Sequence, residues 1–199
     1  MCYNNNVVKR TTEIKERLIV MSNYAKINEM DIANGEGIRV SIFFSGCTLH
    51  CKGCFNYELW DFNYGKPFTQ KTIDKIIELM KPDYIKGLSI LGGEPLQNAG
   101  AVTALCKAVK QVYPNKDIWM WTGYTMGYIE EKTYRGSCEV FSPDLFKNVD
   151  YIVAGEYKEE LRNLNLRFRG SSNQHIFRKI DIDGIRTDWK RCEEYEGDI

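Results

Sequence analysis

The sequence predicts an α/β fold: a mostly parallel sheet assembled from repeated βα units and left as an open or partial barrel. Three observations carry this. Short segments rich in β-branched and aromatic residues alternate with segments whose apolar residues recur at helical spacing. Strand and helix in that order imply right-handed crossovers, with helices laid against parallel strands. The units are too few for a closed eight-stranded barrel. With 199 residues, 43% of them hydrophobic, the chain suits one core of ordinary size.

The first predicted strand is 38–45 (IRVSIFFS). Residues 69–81 place Ile73, Ile76, Ile77 and Met80 on one helical face, with Thr69 as N-cap and Pro82 just past the end. Residues 87–91 (GLSIL) read as a buried strand, and Ala99–Val112 as a helix with Val102, Leu105, Val109 and Val112 along one side. Asp117–Thr122 (DIWMWT) is a third strand, Ser142-Pro143 opens a short helix with proline at its favoured first position, and 149–154 is a fourth strand. Residues 1–20 are polar and are expected to be an N-terminal extension or a short helix over 12–19; residues 21–199 then form a single domain. The tail from Asp181 is charged, and Asp181-Ile-Asp-Gly184 has the composition of a turn.

Lysine plus arginine and aspartate plus glutamate number 27 each, so no global basic field attracts nucleic acid or an anionic membrane. No apolar run is long enough to span a bilayer and the N-terminus lacks a signal-peptide core, which makes a cytoplasmic protein the expectation. Seven cysteines is an odd number, and three fall within eight residues. That crowding suits a metal site in a reducing compartment better than a disulfide framework.

Ligands of parallel α/β sheets bind beyond the carboxyl ends of the strands. The four predicted strands run into 45–56 (SGCTLHCKGCFN), 92–95 (GGEP), 122–124 (TGY) and 155–157 (GEY), so these loops are expected on one rim. Cys47, Cys51 and Cys54 form C-x3-C-x2-C, close enough for one loop to wrap three thiolates around a [4Fe–4S] cluster, with Gly46 and Gly53 easing the turns. Three ligands for four irons leave one iron open. The competing reading is a Cys3His zinc site with His50, His175 or a distant cysteine as fourth ligand, though Cys106, Cys138 and Cys192 stand alone and no second C-x2-C pair occurs. Thr122 and Gly123, at a strand end, are candidates for cofactor contact, and core packing accounts for at least one of Trp119 and Trp121.

Three cysteines at this spacing after a first strand, followed by Gly-Gly-Glu-Pro after the second, resemble the radical S-adenosylmethionine superfamily. The resemblance implies its partial TIM-like barrel, with S-adenosyl-L-methionine chelated to the open iron through its amino and carboxylate groups. It also implies one-electron cleavage to a 5′-deoxyadenosyl radical. Gly92, Gly93 and Glu94 would meet the methionine amino group, and Gly53 and Phe55, flanking Cys54, belong to the cofactor loop. More narrowly, residues 30–39 (MDIANGEGIR), Phe-Phe-Ser-Gly-Cys47, Cys-Phe-Asn56 followed by Trp60, 117–124 (DIWMWTGY) and 170–174 (GSSNQ) resemble the anaerobic ribonucleoside-triphosphate reductase activating family over roughly residues 23–180. This implies an activase that makes a glycyl radical on the large subunit of the anaerobic reductase, fed by a one-electron donor such as a flavodoxin. His175 stands where that family more often has arginine or an apolar residue, and neither it nor His50 is assigned a role. A pyruvate formate-lyase type activase, a deazapurine-forming enzyme and a metal-stapled interaction module are the alternatives.

Overall fold

The computed structural model describes residues 22–134, 141, 143–181 and 187–197. The expected helix over 12–19, Cys2, Cys138, Ser142 and most of the 181–184 turn lie outside them.

Strands β2 (Ile38–Phe44), β4 (Ile85–Gly92), β5 (Asp117–Thr122) and β6 (Tyr151–Ala154) are the four read from the sequence. From Arg39 onward every residue of β2 is buried. Such a strand, covered on both faces, reads as a continuous β-branched and aromatic run. The four pair in parallel, in the order β2-β4-β5-β6. Helix α1 (Gln70–Leu79) starts at Thr69, whose amide donates to Thr72 Oγ1 at 3.2 Å. It buries Ile73 and Ile76, and Met80 just past its end, each such side chain stabilising the fold by about 1.5–3 kcal/mol. Helix α2 (Ala99–Val112) buries Val102, Leu105 and Val109 but leaves Val112 exposed. Helices α3 (Met126–Tyr134) and α4 (Pro143–Phe146) complete the described set, with Pro143 as the first residue of the last.

The sheet as a whole is not mostly parallel. Four further strands, β1 (Asn23–Asp31), β3 (Lys66–Pro67), β7 (His175–Asp181) and β8 (Thr187–Arg191), extend it to eight in the order β3-β1-β2-β4-β5-β6-β7-β8. Their junctions, β3-β1, β1-β2, β6-β7 and β7-β8, are antiparallel, so antiparallel pairs outnumber the three parallel ones. Between β1 and β2 the cause is connection length. β1 reaches β2 through a short hairpin, which can join only antiparallel neighbours, whereas a parallel neighbour needs a crossover. The sheet is open, with edges at β3 and β8, and the TIM-like barrel is replaced by this mixed sheet.

The four helices pack on one face. There Val40, Ile42, Phe44, Leu88, Ile90, Ile118, Met120, Ile152 and Ala154 meet Ile73, Leu105, Ile129 and Leu145 in the main core. Alternation along the strands sends Phe43, Leu91, Trp119, Trp121 and Val153 to the other face. Both tryptophans lie there, stacked 5.8 Å apart; Trp119 is core and Trp121 borders a cavity. Arg39 is wholly buried on this face. It donates to Ser89 Oγ (2.7 Å), Leu88 O (2.8 Å) and Glu36 O (3.1 Å), and its guanidinium pairs with Asp117 at 2.6 Å. A buried charge persists only when paired and hydrogen-bonded in this way. Among the described residues no helix is long and apolar enough to cross a membrane.

Candidate iron–sulfur site

The loop after β2 is fixed by backbone bonds before any side chain is considered. Gly46 N–H donates to Leu59 O (2.8 Å) and Cys47 N–H to Trp60 O (3.2 Å), so the chain leaves the sheet, turns, and returns through the single-turn helix Tyr57–Trp60. The Gly-Gly-Glu-Pro loop lies against it. Gly93 N–H donates to Phe44 O and Glu94 N–H to Gly46 O, each at 2.8 Å. At Gly92, φ is 121° and a Cβ would sit 2.3 Å from Phe44 O, so both the conformation and the space demand glycine.

Cys47, Cys51 and Cys54 are free thiols, the first two buried. All three line one cavity of about 410 Å³, together with Phe55, Gly92, Gly93, Thr122, Gly123 and Tyr157. The four loops expected on one rim do meet there. Two of the residues singled out do not border the cavity: Gly53 is packed against the Glu159 carboxylate, and Glu94 lies behind the wall.

Glu94 is 1% exposed. Its carboxylate accepts from Leu96 N–H (2.9 Å) and Thr122 Oγ1 (2.9 Å) through one oxygen and from Gly123 N–H (2.8 Å) through the other. It therefore ties the loop after β4 to the loop after β5. Burial pushes its carboxyl up to about 7 while the three donors pull the other way. Burial likewise raises Cys47, against hydrogen bonds from the Leu49 and His50 amides. It raises Cys51 to about 11, against one from the Tyr157 amide.

The donor set fits a polynuclear cluster. The thiols line one cavity and two of the sulfurs accept amide N–H groups, the environment in which iron–sulfur clusters are tuned. Yet no three His, Cys, Asp or Glu side chains among the described residues converge closely enough to hold a single metal ion. The histidines are engaged elsewhere: His50, at φ 49°, stacks on Trp60 with centroids 4.5 Å apart, and His175 Nδ1 lies 3.3 Å from Glu196.

Sequence reasoning overlooked three polar side chains that build this rim. Gln97 bridges two loops, donating to Thr48 Oγ1 (2.8 Å) and Tyr124 OH (2.9 Å) and accepting from Thr48 N–H (2.9 Å). Gln174 accepts from Gly170 N–H (2.8 Å) and Ser171 N–H (3.2 Å) and donates to Gly155 O (2.9 Å), fastening the GSSNQ loop to the end of β6. Arg169, almost fully buried on the cavity wall, donates to Gln174 O (3.0 Å) and pairs with Glu196 (3.1 Å). Arg191 foremost, then Arg169 and His175, hold Glu196 down to about 2. Only Gln174 carried a signal, as part of a recurring phrase.

The fold and the cysteine-lined cavity define a small α/β protein of the iron–sulfur class, and residues 33–177 match the family described as a 4Fe-4S single cluster domain. The chain is 39% identical over 160 residues to the anaerobic ribonucleoside-triphosphate reductase-activating protein of Vibrio cholerae, covering 78% of this chain and 97% of that one. The proteins of the same name from Enterobacteria phage T4 and Escherichia coli K12 are each 36% identical, over 84% and 77% of this chain and 98% and 97% of theirs. The chain belongs to the family of anaerobic ribonucleoside-triphosphate reductase-activating proteins.

Proposed function

We propose that this protein activates an anaerobic ribonucleoside-triphosphate reductase, with Cys47, Cys51 and Cys54 holding a [4Fe–4S] cluster and S-adenosyl-L-methionine binding at the fourth iron. The supporting observation is that the three thiols share one cavity with Gly92, Gly93, Thr122 and Gly123, in a chain 36–39% identical to relatives bearing that name. When bound, the pair supplies one-electron reductive cleavage of the sulfonium, giving methionine and a 5′-deoxyadenosyl radical able to take a hydrogen atom from a reductase glycine.

The chain's own residues arrange for this. Gly92 and Gly93 present bare backbone to the cavity, so a ligand's amino group can approach their polar groups closely. Glu94 steadies that loop and, when ionised, adds a negative charge one layer behind it, favouring a cationic ligand group in front. Thr122 and Gly123 are held by Glu94 on the adjoining wall, while Leu166, Phe168 and Trp121 offer apolar and aromatic surface to an adenosine. Phe55 is 67% exposed beside Cys54 and Tyr57 63% exposed, open to a protein substrate and to a one-electron donor of the flavodoxin class. A metal staple without catalysis has no use for the glycine pair on the same cavity.

The test is anaerobic reconstitution with iron and sulfide, followed by a strong one-electron reductant and S-adenosyl-L-methionine. We expect 5′-deoxyadenosine, and a glycyl-radical resonance once the reductase subunit is added. A fully loaded cluster that yields no 5′-deoxyadenosine overturns the reading.

A further inference from the structure

We propose that Gln97 is a positioning residue for the cysteine loop: its carboxamide clasps Thr48 and Tyr124 together and so fixes how the amides that follow Cys47 meet that sulfur. The clasp has a rigid base. Gln97 lies in the single-turn helix Pro95–Asn98, where its N–H donates to Glu94 O at 3.0 Å and Leu96 N–H is held by the Glu94 carboxylate. It also has a rigid far side, because Tyr124 stacks on Tyr128 at 5.0 Å and packs on Phe141 at 5.6 Å.

Between them the amide orientation is unambiguous. Thr48 N–H can only donate, so the Gln97 atom facing it at 2.9 Å is Oε1, and Nε2 must donate to the two hydroxyl oxygens at 2.8 and 2.9 Å. Thr48 is thus gripped at backbone and side chain at once, in the residue next to Cys47. The two amides after it, Leu49 and His50, donate to the Cys47 sulfur, and His50 reaches this arrangement through a left-handed φ of 49° that ordinary residues seldom adopt. A strained turn of this kind persists where its surroundings hold it. Gln97 supplies part of that hold through Thr48, beside the stack of His50 on Trp60, and it joins the loops after β2, β4 and β5.

Without the clasp the loop relaxes and the sulfur loses aligned N–H donors. Donors to cluster sulfurs stabilise the more reduced, more negative state. The redox consequence rests on the iron–sulfur reading above; the clasp itself does not.

Two measurements test this on the full chain. In metal-free protein, Gln97→Leu should speed hydrogen exchange at the Thr48 amide by about two- to tenfold, the loss of one net hydrogen bond. In the reconstituted protein, Gln97→Leu should keep the wild-type iron content, move the cluster's midpoint potential to more negative values and alter its electron spin resonance spectrum. Thr48→Ser, which retains the hydroxyl, should match wild type in both. Should Gln97→Leu fail to fold, Tyr124→Phe decides, with a smaller shift of potential in the same direction expected. Unchanged exchange and unchanged potential in the folded variants overturn the proposal. A wild type that takes up no iron overturns the cluster reading instead, and the exchange result still decides the clasp.

Discussion

Replacing Glu94 with glutamine tests what the buried carboxylate does. Its pKa is raised from the usual 4.5 to about 7 because burial disfavours the charged form more than three donors favour it. Folding therefore favours the protonated acid. The stabilisation is fully present below the unfolded pKa near 4.5 and is lost as pH rises through about 7. A shift of that size corresponds to about 3 kcal/mol. Glutamine does not titrate, but it has one oxygen where the carboxylate has two. That oxygen can serve Leu96 N–H and Thr122 Oγ1, leaving the amide NH2 opposed to Gly123 N–H, a cost of about 1–3 kcal/mol at every pH. In urea unfolding of the metal-free, reduced protein, Glu94→Gln should be the less stable form at pH 5. Between pH 5 and 8 its deficit should shrink by about 2–3 kcal/mol and can invert. A difference that stays constant within about 0.5 kcal/mol, or that grows with pH, refutes the reasoning.

Three further outcomes are expected. Gly92→Ala places a Cβ 2.3 Å from Phe44 O at a φ of 121°, and should lose about 3 kcal/mol or more in the same unfolding assay; a loss under about 1 kcal/mol would contradict the close approach. Cys51→Ala should abolish iron uptake on anaerobic reconstitution, whereas Cys106→Ala, in the helix-facing core, should retain it. Full iron in Cys51→Ala would remove that ligand from the set. Arg39→Met strands Asp117 without its 2.6 Å partner and should cost about 3–5 kcal/mol. Adding Asp117→Asn should restore part of that loss, and a double variant no better than the single one would show that the pair is not the cause.

The centre of the sheet was legible because β2, β4, β5 and β6 are covered on both faces and so declare themselves as apolar runs. The flanks were not. β1 is NYAKINEMD, half-exposed along most of its length, and β8 is TDWKR; strands with one wet face carry polar residues that look like loop. Strand direction is also absent from side-chain chemistry, since a hairpin and a crossover can join the same two segments. That is how a mixed sheet came to be read as parallel. At the site, the cysteines and glycines were visible because their chemistry and backbone freedom are rare. Gln97 was invisible because an amide between Leu96 and Asn98 says nothing until the folded chain brings Thr48 and Tyr124 to it. Glu94 was found by its motif, but the three donors that occupy it are brought together only by the fold.

All four described helices lie on one face of the sheet, and the cysteine cavity lies on the other. That second face is covered only in part: Trp119, Val153 and Tyr195 pack there in a core of their own, while Phe55, on the cavity wall, is 67% exposed. At such an exposed edge water weakens electrostatic interactions, by an order of magnitude or more relative to a dry interior. Glu94, 1% exposed, already acts from the dry layer; a surface seated over the exposed rim would extend that low dielectric to the groups lining the cavity.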